Sequence, residues 1–124
     1  MSVKVELDEG LRRAWVTVLP GPQTETVADA VLSLTKQRPK LGGWDWIIDT
    51  RHPHAQATPE EIENIASAFN AMTSQQSYTI FISRDPATYE RCAILGRKFF
   101  HRRHLVAHSI AEAKALLPQS IASI

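Results

Sequence analysis

Along this chain the spacing of apolar residues switches between two positions and about 3.6, and no other feature limits its possible folds so tightly. Val3, Val5 and Leu7 alternate with Lys4, Glu6 and Asp8, the pattern of a half-buried strand, and Asp8-Glu9-Gly10 supplies turn chemistry. Arg13 to Leu19 reads as the return strand, closed by Pro20-Gly21-Pro22. Val27, Val31 and Leu34 then recur at helical spacing, with Thr24 or Thr26 to cap the start and Arg38-Pro39 to end it, because a residue before proline avoids the α region. Trp44 to Asp49 reads as a short strand that Pro53 prevents from continuing.

The best-signed helix opens next. Thr58 is an N-cap, Pro59 suits the first helical position and Glu61 completes a capping box, with Ile62, Ile65, Ala66, Phe69 and Met72 as the apolar stripe. Tyr78 to Ser83 reads as a strand. Asp85-Pro86 starts another helix, whose inward face is expected from Tyr89, Cys92, Ala93 and Phe100. Leu105 to Ala107 is the last strand, and Ser109-Ile110-Ala111-Glu112 is a capping box that opens a final helix ending at Pro118. The order is ββαβαβαβα. It predicts one α/β domain across the 124 residues, ordered over about 3–118, with a single mixed sheet: an antiparallel hairpin followed by largely parallel neighbours.

Composition narrows the class of protein. With 44% hydrophobic and 22% charged residues, the chain is globular, and neither a membrane span nor a signal-peptide core is present in the sequence, so a soluble cytoplasmic protein is expected. One cysteine rules out an internal disulfide framework and a cysteine-based zinc site. The net charge of +1 gives no global attraction to nucleic acid or membrane, yet it conceals an acidic start to the Thr58 helix (Glu60, Glu61, Glu63) and a basic stretch from Arg91 to Arg103.

Asp49 ends the third strand where a response-regulator receiver carries its phospho-acceptor. The opening hairpin and the His108-Ser109 that follows the last strand, in place of lysine, do not fit a receiver. The hairpin followed by alternating helices and strands, Trp46-Ile47-Ile48-Asp49 as a central strand ending in aspartate, the helix opening at Thr58 and the terminal Val106-Ala107-His108-Ser109-Ile110-Ala111-Glu112-Ala113 together resemble the STAS / SpoIIAA-like family across nearly the whole chain. The Asp-Ser-Ser-Gly signature of the antagonists is replaced by Ala57-Thr58-Pro59-Glu60. The resemblance implies a bacterial, non-catalytic regulatory or interaction module with a protein partner and a homodimeric form, whose working loop runs from Asp49 through Arg51, His52 and His54 to Thr58.

The chemistry of individual residues leaves several readings open. Thr58 is an N-cap first; a phosphate there would meet free backbone N–H groups but also Glu60 and Glu61. His52-Pro53-His54 offers two imidazoles without a third strong ligand, so no metal is expected, and no cofactor motif is present. Asp49 beside His52 is too common a pair to define an acid and base, and no catalytic residue is assigned. Arg97, Lys98, Arg102 and Arg103 form the core of a basic block that suits an anion or RNA, although no nucleic-acid motif accompanies it and a solvated helix end explains it as well. Trp44 and Trp46 are read as core, with contact to a lipophilic ligand, as in a carrier or a small enzyme, the alternative.

Overall fold

The computed structural model describes residues 2–19, 27–51, 60, 63–67, 77–98 and 102–117. Its elements are β1 (Ser2–Asp8), β2 (Arg13–Leu19), α1 (Val27–Gln37), a 3-10 helix (Pro39–Gly43), β3 (Asp45–Asp49), β4 (Ser77–Ile82), α2 (Pro86–Lys98), β5 (Arg102–Ala107) and α3 (Ile110–Leu116). Residues 60 and 63–67, between β3 and β4, are also helical. The strands form one five-stranded sheet in the order β1-β2-β3-β4-β5. β1 and β2 are antiparallel and the remaining pairs parallel, the mixed sheet that the alternation of periods predicts.

Because strand side chains alternate between faces, the register sorts the core into two layers. One face carries Ala14, Val16 and Val18 of β2, Trp46 and Ile48 of β3, Phe81 of β4 and Val106 of β5; Val27 and Val31 of α1, Leu41, Ile65, Ala66 and Cys92 cover it. Val3, Val5 and Leu7 of β1 pack against the rim of that layer. The opposite face carries Ile47, Ile80, Ile82 and Ala107, covered by Ala113 and Leu117 of the α3 region, with Trp15, Tyr78 and Leu105 half-buried around them. In a parallel sheet of sequential order, right-handed crossovers put successive helices on the same side, which leaves the second side to the last helix. The central strands are therefore buried on both faces, and Trp46-Ile47-Ile48 and Ile80-Phe81-Ile82 are unbroken apolar runs.

Polar contacts fix the registers. Leu11 N–H donates to Asp8 Oδ1 in the hairpin turn at 3.0 Å, Asp45 N–H donates to Arg12 O at 3.0 Å, and Asp45 Oδ1 accepts from Tyr78 N–H at 2.9 Å, so one carboxylate aligns the starts of β3 and β4. Trp46 Nε1 donates to Leu41 O at 2.8 Å and anchors the 3-10 helix under β3. Ser109 caps α3 by accepting from Glu112 N–H at 3.1 Å. Glu112 returns a bond to His108 N–H at 3.2 Å, one residue earlier than the standard capping box places it.

Two expectations need correction. Among the described side chains of α2, Thr88 and Cys92 are buried, while Tyr89 and Ala93 are exposed. Thr88 tolerates the interior because its hydroxyl pairs with Ser83 Oγ at 2.9 Å, so it takes the inward position expected of Tyr89, while Cys92 is inward as expected. β5 starts at Arg102 and not at Leu105, so the basic stretch is divided between a helix and a strand. Pro39-Lys40-Leu41-Gly42-Gly43, for which the sequence gives no element, forms a 3-10 helix. The caps at Thr24, Thr26 and Thr58 and the inward Phe100 lie outside the described residues. No helix among the described residues is long and apolar enough to cross a membrane.

Candidate functional site

The carboxyl ends of parallel strands are where α/β sheets form ligand crevices, since the chain leaves each strand there in a loop and neighbouring loops diverge. In this protein a cleft of about 360 Å³ lies at that end, lined by Val18 from β2, Asp49 and Arg51 from the exit of β3, and Arg84 from the exit of β4. The strand exits beside it are tied together: Thr50 N–H and Oγ1 both donate to Ile82 O, at 3.0 and 2.9 Å, and Ser83 N–H donates to Ala107 O at 2.9 Å. Asp85 caps the loop after β4, accepting from Ala87 N–H at 3.0 Å, while Asp85 N–H donates to Ser83 Oγ at 3.1 Å. Arg84 therefore sits on a loop whose backbone is held on both sides.

Asp49 and Arg51 form a two-pronged ion pair. Arg51 Nε donates to Asp49 Oδ1 at 3.0 Å and Nη2 to Oδ2 at 2.7 Å, while Arg51 N–H also donates to Oδ1 at 3.1 Å. Burial pushes the Asp49 carboxyl up, and the three contacts from Arg51 outweigh it, leaving the group below the ordinary carboxylate value. The same pairing raises Arg51. A depressed native pKa means that the pair stabilises the fold fully above the ordinary value of 3.8, and that this contribution is lost as acid protonates the carboxylate. Asp49→Asn should accordingly lower the urea midpoint near neutrality, and the difference from the parent should shrink as the pH falls below the ordinary carboxylate value and the Asp49 carboxylate is protonated; curves that stay parallel throughout would show that the pair carries no linkage.

The sequence-derived residues do not all meet at this cleft. Asp49 and Arg51 line it; His52, His54 and Thr58 lie outside the described residues. Trp44 and Trp46 belong to the packed layer under the helices, at 8% and 0% exposure, so neither ring is presented to a ligand. Arg97 and Lys98 end α2, and Arg102 and Arg103 begin β5; Arg103 is exposed with its guanidinium 6.0 Å from the Tyr78 ring centre, whereas His104 is buried in the sheet. Cys92 is buried, and its thiol is pushed up to about 12, far from a nucleophile's range. Among the described residues no group of three or more His, Cys, Asp or Glu is placed to hold a metal ion.

Two features escape a reading of the sequence. Arg84 is one; its position, directly after a strand and before an Asp-Pro helix start, is the signal that would have found it. The other is a clasp at the end of β5, where Tyr89 Oη lies 3.2 Å from His108 Nε2 and His108 Nδ1 lies 3.4 Å from Glu112 Oε2. It joins the first turn of α2 to the first turn of α3, and all three side chains reach solvent. No protein-family model, curated protein or solved structure matches this chain.

Proposed function

We propose that the chain is a non-catalytic regulatory or protein-interaction module of the STAS / SpoIIAA-like kind, and that it grips an acidic segment of a protein partner in the cleft at Asp49, Arg51 and Arg84. The observation that carries this reading is the charge arrangement of the cleft. One carboxylate is held by one guanidinium, and a second guanidinium, Arg84, lines the same space with no carboxylate partner among the described residues. An arginine fork on a fixed loop matches a carboxylate in geometry as well as charge.

Catalysis fits the same groups poorly. A general base works best with its pKa near the working pH, whereas Asp49 is held low by Arg51. The apolar wall given by Val18 suits the methylene stem of a glutamate side chain.

An amide-detected NMR titration with a glutamate-rich peptide, and with its glutamine counterpart as control, tests the proposal. Shifts confined to residues 49–51 and 84, absent with the glutamine peptide and weakened about tenfold by Arg84→Glu, are expected for one charge-assisted contact. Resonances at 49–51 and 84 that stay still, or shifts that gather on Arg97, Lys98, Arg102 and Arg103, would refute it; the second outcome would favour anion or RNA binding by the basic block.

A further inference from the structure

β1 is an edge strand: it pairs with β2 on one side, and among the described residues no element pairs with its other side. An edge leaves a row of backbone N–H and C=O groups unpaired and invites another strand, and proteins commonly blunt it with charge. The charges on β1 are of opposite sign, so they repel a like strand only in some registers. Lys4 and Glu6 stand on one face on either side of Val5, both well exposed, and bridge each other at 2.8 Å. Val3, Val5 and Leu7 occupy the other face and are only partly buried.

We infer that β1 is a self-complementary docking edge whose occupant is a second copy of this chain, paired antiparallel about Val5. In that register Lys4 of each copy lies opposite Glu6 of the other, Val5 meets Val5, and Val3 meets Leu7. Both unlike-charge pairs form at once because of the symmetry of an isologous contact. Neighbouring registers are penalised. Centring on Lys4 sets the two lysines opposite each other, centring on Glu6 sets the two Glu6 carboxylates opposite each other although it pairs Lys4 with Asp8, and a shift by a single residue sets Val5 against Glu6 and turns the apolar layers to opposite sides.

The other edge offers no such match: β5 carries Arg102 and Arg103 and no acidic residue, so no unlike-charge pair can form there between two copies. The favoured pairing joins the two sheets into one, with the helix-covered layers on a common side and the half-buried valines shielded at the seam. It is independent of the cleft, which lies at the exits of β3 and β4.

Sedimentation equilibrium of the full chain tests this. The parent is expected to dimerise at micromolar concentration, and Lys4→Glu and Glu6→Lys are each expected to raise the dimer dissociation constant about tenfold or more, since each turns two facing attractions into repulsions. An equimolar mixture of the two variants is then expected to recover parental association, because a chain with two acidic residues faces a chain with two lysines. That recovery cannot arise from the bridge within one strand. A monomeric parent, association unaffected by either reversal, or a mixture no tighter than its components would each overturn the inference.

Discussion

Trp46→Ala is expected to destabilise the protein by about 3–5 kcal/mol, a large part of the roughly 5–15 kcal/mol available to an ordinary domain. Trp46 has 0% exposure and is the largest fully buried side chain described. It packs between β2, β4 and the helices, so its removal opens a cavity that rigid neighbouring strands close only in part. It also removes the 2.8 Å bond to Leu41 O, which leaves a buried carbonyl without that donor and frees the 3-10 helix from β3. Trp46→Phe separates the two effects: it keeps most of the volume and loses the donor, for an expected loss of about 1–3 kcal/mol. Urea unfolding followed by far-ultraviolet circular dichroism measures both. A Trp46→Ala midpoint within the scatter of surface substitutions would contradict this account of the core.

On the opposite face the decisive residue is Ile80, and Ile80→Ala is expected to cost about 2–5 kcal/mol. Ile80 has 0% exposure and lies in a row across the sheet with Ile47 and Leu105, under Ala113 and Leu117. The effect reaches beyond the strand. α3 has seven residues, well short of the ~12–15 that an isolated helix needs to be even marginally stable, so its order depends on what it packs against. Its cap at Ser109 and the Lys114 ammonium 5.8 Å from the Trp15 ring centre add little compared with the apolar contact. Hydrogen exchange should therefore show α3 amides losing protection in Ile80→Ala before those of β2 and β3 do. Equal protection across the sheet and α3 would mean that the helix is held by something other than this face.

Local signals in the sequence proved dependable because local physics decides them. The alternation around Val5 specifies a strand with one wet face, and the Ser109 and Asp85 caps mark helix starts through bonds that span three residues or fewer. Features decided by distant partners were not legible. The inward position of Thr88 depends on a hydroxyl partner at the end of β4, the early start of β5 on pairing with β4, and the Tyr89-His108-Glu112 clasp on the packing of two helices around β5. The candidate site divides in the same way. Asp49 at the end of β3 and its neighbour Arg51 could be named from the sequence, whereas Val18 and Arg84 join them only because the sheet sets β2, β3 and β4 side by side.

Strand order in this sheet equals chain order, and that has a bearing on how the protein is made. Each strand after the first meets a template that the ribosome has already released: β2 folds back on β1, β3 joins β2, β4 joins β3 and β5 joins β4. No strand must be inserted between two earlier ones, so assembly can follow synthesis from the amino-terminal hairpin outward. The growing edge at each stage is the one that the next segment will occupy. The apolar face around Ile47 and Ile80 is the exception, because Ala113 and Leu117, which cover it, follow all five strands in the chain, so that face stays open until they have been made.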